Sequence, residues 1–225
     1  MIAGLTVFIS GQIILRQENA GNVSGYSVSP EYTGPEEESE EPLLTVDVER
    51  LYSPVCILEE LDSGEILASR QKSERIYPAS LTKIMTAILA IENTPDLDQM
   101  IPLPDPLFST LYIQNASMAG FQPGEEASAR DLLYGILLPS GAECCLAFAD
   151  HIAGSERDFV GMMNRKADQL GMENTHFCNS TGLHEEDHYS TAEDIAILLR
   201  YALANEEFRK AFTTSRYSTS PTDLH

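Results

Sequence analysis

The stretch SLTKIMTAILAIEN, residues 80–93, is apolar at Leu81, Ile84, Met85, Ala87, Ile88, Leu89 and Ile91. On a 3.6-residue period these positions cover more than one stripe, so a helix here must be buried on most sides. The remainder of the chain has to supply that cover. PVCILEELDSGEILASR reads as two short strands about an Asp62-Ser63-Gly64 turn. Three later segments carry helix-start signals: Ser128-x-x-Asp131 at RDLLYGILL, Ser155-x-x-Asp158 at DFVGMMNRKADQL with Gly171 as its stop, and Thr191-x-x-Asp194 at DIAILLRYALA. GAECCLAFADHIA is helical by its apolar period. Residues 94–124 are broken up by Pro and Gly, without strong periodicity. One hairpin followed by helices predicts an α+β fold with a sparsely filled sheet.

Charge narrows the function classes. The 225 residues carry 35 acidic and 14 basic side chains, a formal charge of −21, with no run of Lys or Arg. Binding nucleic acid through a basic face is excluded by that balance, because there is nothing to release counterions. Solubility is the plain reading of the acidity. Cys56, Cys144, Cys145 and Cys178 form neither a C-x-x-C pair nor a disulfide framework, and they leave the redox compartment open. Cys144 and Cys145 sit on an apolar helix as small buried hydrophobes.

The chain divides into three stretches. Residues 1–16 are apolar, too short for a membrane span of about 20 residues, and without a basic leader region. They read as a buried strand, or as the remnant of a signal or anchor. Residues 17–42 end in GPEEESEEP and have the composition of a solvated linker. The globular part is predicted over 43–225.

Two motifs carry chemistry. His184-Glu185-Glu186-Asp187-His188 fits H-E-x-x-H, a zinc-peptidase pattern. Two imidazoles reach one metal at this spacing only on a helix. Here Gly182 precedes the motif, and the start signal at Thr191 opens a helix after it, so a polar loop is predicted. The second motif is Ser80-x-x-Lys83. Residues i and i+3 share a helix face, so the lysine can reach the hydroxyl. Burial and the positive helix end both disfavour the ammonium form, which is what lets a lysine act as a base toward a serine nucleophile.

YPASLTKIMTAILAIE, DLLYGILLPSGAE and LGMENTHFCNSTGLHEEDHYSTAEDIAIL resemble consecutive blocks of the serine-type D-Ala-D-Ala carboxypeptidases, the low-molecular-mass penicillin-binding proteins. The resemblance runs from about Val46 to Phe212, in order and with plausible spacing. It implies the β-lactamase/DD-peptidase-like, serine penicillin-recognising fold. It also implies a nucleophile at Ser80, a general base at Lys83 and a proton relay at Ser140 in the PSG segment. The substrate would be a peptidoglycan stem peptide ending in D-Ala-D-Ala, and β-lactam antibiotics would acylate Ser80. The site would use no cofactor and lie outside the cytoplasmic membrane, secreted or attached to its outer face.

The chain departs from the family at two places. The asparagine of the family's S-x-N motif falls on Ala142. Losing one oriented donor costs on the order of 10²–10³ in rate. Glu143 is a neighbour that could substitute in part, though an ionised carboxylate cannot donate. The family's K-T-G strand is also absent: Lys72, Lys83, Lys166 and Lys210 precede Ser, Ile, Ala and Ala. The expectation is therefore the N-terminal part of such an enzyme, with a two-stranded remnant of the sheet and little or no turnover. A non-catalytic cell-wall-binding protein and a zinc peptidase using His184 and His188 are the alternatives.

Overall fold

The structure is a computed structural model that describes residues 6–9 and 47–222. The linker predicted at 17–42 lies outside the described residues.

The predicted hairpin forms. β2 (Cys56–Glu59) and β3 (Ile66–Arg70) pair antiparallel with Ile57 opposite Ser69, and a bulge interrupts the ladder at Leu58/Glu59. The expected two-stranded remnant is corrected: among the described residues the sheet has three strands, in the order β1-β2-β3. β1 (Thr6–Ile9), from the apolar N-terminal stretch, pairs parallel with β2 and satisfies the edge that a bare hairpin would leave open. Val55 and Ile57 pack with Ala192 and Ala196, joining the sheet to the helical region.

That region is organised around α1 (Thr82–Asn93), which follows a single 3-10 turn at Ala79–Leu81. Nine of its twelve residues, Thr82 to Ala90, are buried. Such burial requires neighbours on every side, and α1 indeed packs against α3 (Ala129–Leu137), α4 (Ala142–Ala153), α5 (Glu156–Leu170), α6 (Ala192–Ala204) and α7 (Glu206–Phe212). Phe108, Phe148, Phe159, Phe177 and Phe208 fill the space between these helices. Each large apolar side chain so buried stabilises the fold by about 1.5–3 kcal/mol relative to exposure.

Helix starts occur where the sequence marks them. The side chains of Ser128, Ser155 and Thr191 accept from the backbone N–H of Asp131, Asp158 and Asp194, satisfying donors that the first turn leaves free. Gly154 and Gly171 end α4 and α5 in the left-handed conformation.

Residues 94–124, which show no strong periodicity in the sequence, contain β4 (Met100–Pro102) and α2 (Pro106–Ile113). β4 pairs antiparallel with β5 (Glu126–Ser128). These elements are short, and their periodicity is too brief to register in a sequence window. No helix among the described residues is long and apolar enough to cross a membrane.

Candidate active site

Ser80 lies in the 3-10 turn that leads into α1, with its side chain exposed, while Lys83 in the first turn of α1 is buried. The Lys83 Nζ is 3.5 Å from Ser80 Oγ and donates to the Thr181 carbonyl at 2.6 Å. Ser140 Oγ donates to Ser80 Oγ at 2.9 Å. Two side chains, one three and the other 60 positions away in sequence, thus converge on the Ser80 hydroxyl.

Two residues beside the site, Ala79 and Ser140, have left-handed backbones, with φ of +47° and +66°. Non-glycine residues in this conformation cost of order 1–3 kcal/mol each and persist only where the surroundings impose them. At Ser140 the imposed backbone aims Oγ at Ser80.

A strap from Cys178 to Leu183 forms the floor under the lysine. Its carbonyls face α1: Ser180 O accepts from Thr86 Oγ1 at 2.7 Å, beside the Thr181–Lys83 bond. Asn179 Oδ1 gathers the N–H groups of Thr181 and Gly182, and Glu156 takes both the N–H and the hydroxyl of Ser180. Gly182 has φ +80°, and a β-carbon there would stand 2.0 Å from the Ala79 carbonyl oxygen. Strap and nucleophile turn therefore touch backbone to backbone.

The polar loop predicted at His184–His188 forms, and the alternative of a zinc site there does not fit it. Residues 184–188 are not helical. His184 is exposed and packs edge-on against Tyr77, whereas His188 is buried with both ring nitrogens engaged. Its Nδ1 accepts from the Cys178 N–H at 3.1 Å, which leaves the hydrogen on Nε2, 2.7 Å from Thr82 Oγ1. Burial pushes the His188 pKa down to about 4, Glu185 working against this and His176 and His184 with it. A ring committed at both nitrogens has no lone pair to offer a metal.

Glu143 does not stand in for the missing asparagine amide either. Its carboxylate turns inward, where Oε1 accepts from the N–H groups of Ala119 and Gly120 at 2.6 and 2.9 Å, and burial raises its pKa. Glu143→Ala is expected to destabilise the chain by about 2–4 kcal/mol, because it leaves two amides unpaired and opens a cavity. A urea melt of the variant against the natural chain measures this.

An exposed serine with a buried lysine one turn along is the arrangement that a serine nucleophile with an amine base would require. The particular family follows from comparison with known proteins. The chain belongs to the D-alanyl-D-alanine carboxypeptidase family, whose profile matches residues 43–222. It is 43% identical over 160 residues to the D-alanyl-D-alanine carboxypeptidase DacF of Bacillus subtilis, an alignment covering 69% of this chain and 40% of that one. Against DacC of Escherichia coli the identity is 34% over 160 residues, covering 68% and 40%. The chain spans about 40% of the length of these relatives. Among solved structures, a Streptomyces DD-transpeptidase superposes with a TM-score of 0.68 at 31% identity, covering 72% of this chain and 64% of that one. Penicillin-binding protein 6B of Escherichia coli gives 0.66 at 30%, covering 71% and 53%. The fold is that of the penicillin-recognising DD-peptidases.

Proposed function

We propose that the chain carries the acyl-transfer half of a serine DD-carboxypeptidase site, acting on peptidoglycan stem peptides that end in D-Ala-D-Ala. The observation that carries this reading is the Ser140–Ser80–Lys83 cluster, at 2.9 and 3.5 Å. Ser80 Oγ attacks the carbonyl of the penultimate D-Ala while its proton passes to the neutral Lys83 amine. The carbonyl–nitrogen bond then breaks, and Ser140 relays a proton to the departing D-Ala amine. Water hydrolyses the resulting ester and regenerates the Ser80 hydroxyl. The Ser80–Lys83 contact is long for proton transfer, as such contacts often are before substrate binds. β-Lactams, as strained acyl donors, would acylate the same oxygen. This substrate class places the protein's work outside the cytoplasmic membrane.

Turnover is expected to be slow, because Ala142 replaces an amide donor. The same substitution favours a second reading, a cell-wall-binding protein without turnover. Release of D-Ala from a peptide ending in Lys-D-Ala-D-Ala separates them. Slow release that disappears in Ser80→Ala supports the enzyme. Release that persists in Ser80→Ala overturns it, and muropeptide binding with no release in either chain favours the second reading.

A further inference from the structure

We infer that His188 is a positioning residue of this site: as a neutral imidazole it clips the first turn of α1, at Thr82, to the strap whose Thr181 carbonyl holds the Lys83 Nζ. The inference rests on the proposed acyl-transfer role of Ser80 and Lys83.

Three observations carry it. The first is the clip itself, since the His188 ring accepts from the Cys178 N–H at one end of the strap and faces the Thr82 hydroxyl with the other nitrogen. The second is the position of Thr82, between Ser80 and Lys83 in sequence and fully buried, so that moving it moves both. The third is the strap's dependence on bonds of this kind. It has no regular secondary structure and is held against α1 through Lys83–Thr181, Thr86–Ser180 and the His188 clip. Without the clip, the strap's end at Cys178 is free to shift, and with it the Thr181 carbonyl that holds the Lys83 Nζ. Misplacement of a reacting group by about 1 Å can cost on the order of 10²-fold in rate.

The clip depends on which nitrogen carries hydrogen. A backbone N–H can only donate, so Nδ1 must be bare. Protonating the ring puts a second hydrogen there, facing the Cys178 N–H, and breaks the contact. Around the ring, Glu185 favours the proton, and His176 from the preceding segment and His184 from the same loop disfavour it. The edge of Phe177 covers its flank, and from α1 the nearest charged neighbour in sequence to Thr82 is Lys83. Desolvation dominates, and the neutral form persists down to about pH 4.

Glutamine presents an acceptor oxygen and a donor nitrogen in one planar group, as the neutral imidazole does; leucine fills the space with neither. The rate of Ser80 acylation by benzylpenicillin, followed by mass from pH 3.5 to 8, is compared for the natural chain, His188→Gln and His188→Leu. At pH 7, His188→Leu should be slower by about 10- to 100-fold, and His188→Gln should recover most of the rate. The natural chain should also lose rate in a step near pH 4 that His188→Gln lacks. A folded His188→Leu acylated at the natural rate overturns the inference, as does a glutamine variant no better than leucine. If His188→Leu does not fold, or the natural chain is not acylated, imidazole ¹⁵N NMR of the natural chain decides. A bare Nδ1 down to about pH 4 supports the clip whatever the fate of the acylation reading, and a ring titrating near its ordinary 6.5 overturns it.

Discussion

Lys83→Met is expected to slow acylation of Ser80 by a β-lactam about 10²- to 10⁴-fold, the range supplied by a positioned acid or base. The substitution removes the only side-chain nitrogen shown within reach of Ser80 Oγ among the described residues, and it keeps an unbranched chain of similar length. Folding should survive it. The bonds of the Lys83 Nζ run to neutral oxygens, Thr181 O and Ser80 Oγ, so losing the nitrogen removes a buried polar group while it costs two hydrogen bonds. The thermal midpoint should therefore stay within a few degrees, about 1 kcal/mol for a domain of this size. The split itself identifies the residue: a structural lysine would lose stability first, and a catalytic one loses rate alone. Stopped mass spectrometry beside a thermal melt makes both readings.

Gly182→Ala should fail in the opposite way, losing stability and rate together. The position combines φ +80° with a β-carbon that would stand 2.0 Å from the Ala79 oxygen and 2.5 Å from its carbonyl carbon. Those atoms are backbone and cannot rotate aside, so either the strap or the nucleophile turn must move. The left-handed conformation alone costs an alanine of order 1 kcal/mol or more, and the collision adds to it, for a total of about 2–4 kcal/mol. Displacing the strap also displaces the Thr181 carbonyl from the Lys83 Nζ. Chemical denaturation reads the first loss and acylation rate the second. Retention of both would mean that strap and turn are not in contact.

What the sequence could reveal follows from the range over which each signal acts. Capping at Ser128, Ser155 and Thr191 spans three residues, and all three helices start there. The all-round apolar pattern of 80–93 is likewise local, and it correctly implied a helix enclosed by others. Weak local signals were lost. α2 has no side-chain cap and is eight residues long, and β4 and β5 have three residues each. α7 is legible in hindsight, since Asn205 accepts from the Phe208 N–H, but seven residues leave little period to detect.

The candidate site divides the same way. Ser80 and Lys83 are one helical turn apart, so their meeting is written into the spacing. Ser140 entered only through resemblance, because nothing in PSG announces a backbone at φ +66°. The Thr181 carbonyl is invisible in any sequence: a main-chain acceptor has no letter of its own, and 98 positions separate it from Lys83. His188 was read in a polar loop, but nothing in the sequence shows that its burial commits both ring nitrogens to Thr82 and Cys178.

The central claim is that Ser80 is an activated nucleophile, and the most direct test is the intact mass of the 225-residue chain after incubation with benzylpenicillin, beside Ser80→Ala. The account predicts a mass increase equal to one penicillin, forming slowly, mapped to the peptide containing Ser80 and absent from the variant. A folded natural chain that gains no mass, or a Ser80→Ala chain that gains the same mass, would contradict it.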